Sequence, residues 1–387
     1  MPSPPDARPV SVSALLYHDR YLDYDFGPGH PFRPVRQEMV VDLLAALGHP
    51  IDPVSPPAAE RADVRRVHSE RFVSLVEAAS KGTPPPNARE FGLDTGDVPV
   101  FENMDAATRG LVGGTLHGAR LLADGTATRV LQMGGGLHHA RQEAAAGFCV
   151  YNDLSIAINL LREHDLRVAY VDLDVHHGDG VQWLHYDDPD VLTISLHESG
   201  QYLYPGTGGV NEIGEGAGEG TAVNVPLAPH TESESYLDAF ERVVPYALKH
   251  FGPDVIVAQC GADAHYSDPL ADLLLTTPAY ETLFERLFAL ADEHSNGRLL
   301  CTFGGGYRLD AVVRIWTMLA LLVQERPLPD TLPEDWRTRW QPRLDDPLTP
   351  TLHDPEQTFG VSRRSAIAEQ NKRTSTQVLE LLAPHWY

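Results

Sequence analysis

Cysteine is scarce: only Cys149, Cys260 and Cys301 occur in 387 residues, and no two of them form a CxxC pair. That excludes a disulfide framework and a sulfur-rich zinc module, and it suits a reducing, intracellular compartment. Long apolar runs are missing, since the longest, residues 315–323, falls far short of a membrane span. Positive charge is short as well. The 30 Lys and Arg stand against 54 Asp and Glu, a formal charge of -24, whereas a protein that grips phosphate backbones needs clustered basic side chains. Direct nucleic-acid binding is therefore not expected. Residues 1–10 are rich in proline and show neither a basic start with an apolar stretch nor an Arg-rich amphipathic pattern. No secretory or organellar signal is visible, so a cytoplasmic protein is expected. Internal repeats and long biased tracts are absent too, which removes fibrous, collagen-like and disordered classes.

What is there is a globular composition, 42% hydrophobic and 22% charged. Seven β-branched or apolar runs predict strands near residues 12–16, 128–133, 167–173, 191–196, 222–226, 255–259 and 299–303. Between them, residues 34–47, 103–122, 154–162, 236–250, 278–291 and 311–323 carry apolar side chains at three- and four-residue spacing. This alternation predicts an α/β fold with a mainly parallel sheet covered by helices on both faces. The proline-rich stretches at residues 1–9 and 83–86 are too short for linkers. One domain over residues 1–387 is expected, with its core at about 11–326 and a C-terminal segment over 327–387. Within that segment, residues 328–355 show little periodicity and are expected to wrap the surface before a final helix near 362–382.

Four clusters each begin where a predicted strand ends, the place where open parallel sheets hold ligands. They are GGGLHH at 134–139, DLDVHHGDG at 172–180, GAD at 261–263 and GGGY at 304–307. In extended chain, residues two apart point to the same side, so Asp174 and His176 can offer an oxygen and a nitrogen to one metal. Asp263, from another strand end, completes a three-ligand site, which leaves a position open for water as in catalytic zinc centres. An isolated Asp-x-His also reads as a hydrogen-bonded turn, and the tandem histidines weigh against that here. His138 and His139 each need a carboxylate to orient and tune them, and Asp172 and Asp179 flank the metal segment. His177 is expected to make a structural hydrogen bond. Tyr307 follows three glycines that let the backbone turn sharply, so its phenol can reach a pocket and polarise a carbonyl. The glycines at 214–220 surround Glu215 and Glu219 with no helix after them, which reads as a flexible connection and not a phosphate loop.

These residues resemble the metal-dependent histone deacetylase family, in particular its bacterial acetoin-utilisation branch. The resemblance runs from about Tyr17 to Arg326 through YDFGPGHPFRPVR at 24–36, GGGLHHA, GFCVYND at 147–153, VDLDVHHGDG, SLH at 195–197, YPGTG at 204–208, CGAD, DPL at 268–270 and GGGY. It implies an arginase-like α/β fold whose mainly parallel sheet has eight strands, one edge strand more than the runs above supply. It implies Asp174, His176 and Asp263 as zinc ligands, His138 and His139 as paired catalytic histidines with partners Asp172 and Asp179, and Tyr307 as the transition-state tyrosine. Gly147, Phe148 and Tyr204 match the walls of an acyl-lysine channel, Asp97 the rim carboxylate that holds the substrate backbone, and Arg36 the arginine of an inner acetate-exit cavity. Potassium beside the zinc is implied through Asp172, Asp174, His176, Ser195 and Leu196.

The chain departs from the family pattern in informative places. Tyr204 stands where phenylalanine is usual, adding a hydroxyl to the channel wall. Of the basic residues that bind inositol phosphate in corepressor relatives, only Arg33 is kept, with Pro269 and Asp310 at two other positions; that partner is not expected. Relatives that prefer acetylated polyamines carry a glutamate where this chain has Leu270, which favours a lysine side chain. The expectation is zinc-dependent hydrolysis of N-acetyl-lysine in a protein or peptide. The alternatives are an acetylpolyamine amidohydrolase, a non-catalytic acyl-lysine binding module and a two-manganese ureohydrolase. Because two carboxylates and an imidazole also accept iron(II), cobalt(II) or manganese(II), zinc is the leading metal and not the only chemically acceptable one.

Overall fold

In a computed structural model, residues 12–50 and 54–386 are described. The proline-rich stretch at 1–9 and the reading of the N-terminus as leaderless fall outside them. Seven strands form one sheet: β1 Ser13–Leu16, β2 Arg129–Gln132, β3 Val168–Asp172, β4 Val191–Glu198, β5 Ala222–Leu227, β6 Val255–Gln259 and β7 Leu299–Thr302, in the order β1-β2-β7-β6-β3-β4-β5. Every pairing is parallel. A parallel sheet needs helical crossovers that cover both faces, so its central strands are apolar without alternation. Strand β6, VIVAQ, is buried at all five positions.

The resemblance implied an eighth strand, and among the described residues there is none. Along the β1 edge, Val54 is the one described residue that pairs, its N–H donating to the Leu15 carbonyl at 3.1 Å while it bridges Leu16. The seven runs read from the residues themselves correspond to the seven strands.

The helices are α1 Val35–Ala46, α2 Arg61–Val64, α3 Glu70–Ala79, α4 Met104–Ala123, α5 Asp153–Glu163, α6 Asp179–Leu184, α7 Ser233–Phe251, α8 Thr277–His294, α9 Leu309–Val323, α10 Glu334–Trp340 and α11 Arg364–Trp386. Local chemistry sets several of their ends. Ser69 caps α3 by accepting from Phe72 N, Asn152 caps α5 by accepting from Ser155 N, and Gly252 ends α7 with φ of 64°. No described helix is long and apolar enough to cross a membrane.

Two expectations need correction. Residues 328–355 do not simply wrap the surface: they include α10, whose Trp336 and Trp340 are buried, and they send Asp354 inward. Two tryptophans four apart are too few to register as a periodic pattern. The 214–220 loop is not a free connection either. It closes on itself through Gly218 N to Glu215 O at 2.9 Å and Gly220 N to Ile213 O at 2.6 Å, and it receives Trp386 Nε1 on Gly220 O at 3.0 Å.

The consequence of the strand order is functional. The four chemistry-bearing clusters leave the carboxyl ends of β2, β7, β6 and β3, which are consecutive neighbours in the sheet.

Candidate active site

At the end of β3 the chain turns so that Asp174 and His176 face Asp263, which leaves the end of β6. The donor atoms of the three lie within 4.8 Å of one another, and all three residues are buried. His176 Nδ1 is 3.0 Å from Asp174 Oδ1 and 3.2 Å from Asp263 Oδ2. Burial pulls the His176 imidazole down, but the two carboxylates outweigh it and raise it to about 10. Burial and the Asp174 charge push the Asp263 carboxyl up. Two carboxylates packed this closely out of water demand a cation, and with one imidazole they form a donor set that suits zinc or another divalent metal with open positions.

The backbone is drawn tightly around this cluster. Gly305 N donates to Asp174 Oδ2 at 2.8 Å, and a Cβ at Gly305 would stand 2.0 Å from Asp263 Oδ2. Only glycine lets the chain pass so close.

Both tandem histidines are buried and each meets one carboxylate. His138 Nδ1 lies 2.8 Å from Asp172 Oδ2, and His139 Nδ1 lies 2.6 Å from Asp179 Oδ1. Their surroundings separate them. Burial lowers His138, yet Asp172 and Asp174 outweigh it and raise it to about 9. Burial and the neighbouring His138 bring His139 down to about 4, so its imidazole is neutral over the physiological range. Asp179, resisting burial through its bonds to His139 and Arg141, is held down at about 2. His177 bonds Thr207 Oγ1 at 2.9 Å and Gln182 Oε1 at 3.1 Å, pointing away from the cluster's chemistry.

A cavity of about 230 Å³ reaches this floor from the surface. His139, His176 and Tyr307 line its inner part, while Asp97 and Tyr204, both exposed, line its outer part with Phe148 and Leu270 between. The Tyr204 ring stands edge-on to His139 at 5.0 Å. Between them passes Gly147, where a Cβ would fall 2.3 Å from His139 Cδ2. The Tyr307 phenol is pushed well above its ordinary range, first by burial and then by Asp263 and Asp174, so the hydroxyl keeps its proton.

Two groups of expected residues stand apart from the cavity. Arg36 is buried behind it, its guanidinium donating to Gly306 O at 2.6 Å and Gly304 O at 3.3 Å and lying 5.7 Å from the Tyr307 ring centroid. Ser195 pairs with Asp172 in the β3–β4 register, and its hydroxyl shares a hydrogen bond of 2.9 Å with His197 Nδ1; Leu196 beside it is fully buried.

Sequence reading missed the residues that hold the cluster. Gln259 Nε2 donates to Asp174 Oδ2 at 2.6 Å while its Oε1 accepts from Gly261 N at 2.7 Å. Tyr170 donates to Asp172 Oδ2 at 2.6 Å, Arg141 to Asp179 Oδ2 at 2.7 Å, and Asp153 accepts from Gly136 N and Leu137 N at 3.1 and 2.8 Å. A signal was present for two of them: Gln259 is a polar residue closing an apolar strand, and Tyr170 stands two before Asp172 on the same face.

Comparison with known proteins agrees with this geometry. The family model described as "Histone deacetylase domain" matches residues 30–323. The acetoin utilization protein AcuC of Bacillus subtilis (strain 168) is 38% identical over 373 residues, covering 95% of this chain and 96% of the relative. AcuC of Staphylococcus xylosus is 37% identical over 380 residues, with 95% and 97% covered. Among solved structures, an HDAC homolog complexed with SAHA superposes with a TM-score of 0.85 at 26% identity, covering 94% of this chain and 99% of that one. An HDAC homolog from Aquifex aeolicus gives 0.83 at 26% identity, with 93% and 99% covered.

Proposed function

The chain belongs to the histone deacetylase family and is a zinc-dependent amidohydrolase, and from that premise we propose that it hydrolyses the acetyl amide of N-acetyl-lysine in a protein or peptide, releasing acetate. The observation that carries this reading is the convergence of the Asp174–His176–Asp263 cluster, both histidine–aspartate pairs and the Tyr307 phenol at the closed end of one narrow cavity.

Asp174, His176 and Asp263 would hold the metal. When bound, it supplies Lewis acidity, polarising the amide carbonyl and making water more acidic. His139, neutral and oriented by Asp179, takes the proton from the attacking water. The Tyr307 hydroxyl donates to the oxygen on which negative charge develops. His138, held between Asp172 and Asp174, shares with His139 the task of returning a proton to the leaving amine. Gly147, Phe148 and Tyr204 enclose the lysine methylenes, Asp97 accepts from the substrate backbone at the rim, and Leu270 gives the mouth an apolar edge with no charge to attract a second amine. Arg36 carries positive charge behind Tyr307, toward which the acetate departs. Potassium, held by Asp172, Asp174, His176, Ser195 and Leu196, would brace the end of β3.

The partner is an acetylated protein, and the name of the AcuC relatives supports a bacterial metabolic enzyme in that role. All three cysteines are free and buried, in keeping with a cytoplasmic site of action.

The test is acetate release from an acetyl-lysine peptide and from acetylspermidine, measured side by side on chelated enzyme reconstituted with zinc. Faster, zinc-dependent cleavage of the peptide is expected. Preference for acetylspermidine would replace this reading by polyamine deacetylation, and release from neither would leave an acyl-lysine binding module.

A further inference from the structure

The segment between α10 and α11 enters the interior at one point. Asp354 is buried, and its carboxylate makes three bonds at once: Oδ1 accepts from Arg314 on α9 at 2.9 Å, and Oδ2 accepts from Thr277 N at 2.8 Å while lying 2.8 Å from His265 Nε2. Its own N–H donates to Thr277 Oγ1 at 2.6 Å. Five residues earlier in the same segment, Thr349 binds Asp310 through its N–H at 2.6 Å and its hydroxyl at 2.8 Å, and the Leu352 carbonyl accepts from Arg314 at 3.1 Å. The segment therefore ties the first turns of α9 to the turn at residues 262–268.

Both ends of that tie lead into the cavity. Helix α9 begins two residues after Tyr307. The 262–268 turn contains Asp263, whose Oδ1 accepts from Val175 N at 2.9 Å, and Asp268, whose Oδ2 accepts from Tyr307 N at 2.7 Å. His265 joins them, its carbonyl accepting from Asp268 N at 2.8 Å. On its ring, Nδ1 accepts from Ser267 N at 3.3 Å, so Nε2 carries the proton given to Asp354. One carboxylate is thus joined, through His265, to the turn that carries both Asp263 and the Asp268 carboxylate bonded to Tyr307 N.

We propose that Asp354 is a positioning residue which, through its hydrogen bond to His265, holds the Asp263 turn in register with Tyr307. A solvated surface wrap would not need a buried carboxylate with three donors, and a purely stabilising ion pair would not need the histidine. The kinetic arm of this proposal rests on the deacetylase reading; the structural arm does not.

The test uses the full chain, loaded with zinc, and the variants Asp354→Asn, His265→Asn and His265→Gln. Glutamine places its amide nitrogen where Nε2 was and keeps the donor to Asp354, whereas the shorter asparagine does not reach. With each variant folded by circular dichroism, Asp354→Asn and His265→Asn are expected to lower kcat by about tenfold with KM within about twofold, as small misplacements at a reacting centre do. Zinc release to a chromogenic chelator is expected to be severalfold faster in both. His265→Gln recovers most of kcat and of zinc retention. Wild-type kcat and wild-type zinc release in folded Asp354→Asn would overturn the proposal, and so would equal losses in His265→Gln and His265→Asn. If Asp354→Asn does not fold, the two His265 variants decide. If wild type cleaves no acetyl-lysine peptide, the functional reading falls, and zinc release alone judges Asp354.

Discussion

The proton on the Tyr307 phenol is kept by its burial beside Asp263 and Asp174, and a hydroxyl that cannot ionise is a dependable donor. Tyr307→Phe removes that donor and little else. Turnover of an acetyl-lysine peptide is expected to fall on the order of a hundredfold with KM nearly unchanged, read from steady-state kinetics. Full turnover in the variant would remove Tyr307 from the mechanism. Gln259 acts one step further back. It is fully buried and spends one end on Asp174 and the other on Gly261 N, so Gln259→Leu leaves Asp174, proposed as a metal ligand, with Gly305 N as the remaining donor on that oxygen and without the side-chain one. Zinc affinity in a chelator competition is expected to drop about 10- to 100-fold, the usual cost of losing an outer partner of a metal ligand.

Between elements, His68 is the clearest titratable joint. It precedes α3, accepts from the N–H of Asn152 at the start of α5 on Nε2 at 2.9 Å, and faces the Arg141 carbonyl with Nδ1 at 2.9 Å, so Nδ1 bears its single proton. Burial lowers it to about 4. An unfolded histidine titrates near 6.5, so the unfolded chain binds a proton before the native one does, and stability present above that pH is lost as pH falls toward 4, by about 3 kcal/mol in all. Urea melts at pH 7 and pH 4.5 should show this loss, and His68→Gln, which cannot titrate, should lessen it. His68 lies outside the periodic patterns, which is why sequence reading passed over it. The β strands were legible because a parallel sheet buried on both faces leaves unbroken apolar runs such as VIVAQ. Helices α2, α3 and α6 were not: α2 and α6 are too short to show a period, and α3 was assigned to no element despite its Ser69 cap. At the site, His138, His139, Asp174, His176, Asp263 and Tyr307 announced themselves because each stands after a strand in a short cluster that contains glycine. Gln259 and Asp354 did not, because what they do depends on contacts across 85 and 89 residues, and Tyr170 did not because its contact lies within an ordinary strand.

Over the whole molecule the formal charge is -24, and the exposed Asp97 lines the outer part of the cavity. Such a field concentrates cationic ligands. An acetyl-lysine peptide flanked by arginines is expected to show a severalfold higher kcat/KM than one flanked by glutamates at low salt, with the gap closing as ionic strength rises to ~0.5 M, where screening shortens to a few ångströms. Equal values at low salt would show that the net charge does not reach the mouth. The tie made by Asp354 also bears on the order in which the protein is made. Residues 30–323, which match the family model, contain every group proposed to touch substrate or metal. A nascent chain from which all of them have emerged still lacks the carboxylate that joins α9 to the Asp263 turn. Synthesis thus runs ahead of competence: every group proposed to react is made before the segment ahead of α11, whose carboxylate would hold them in register.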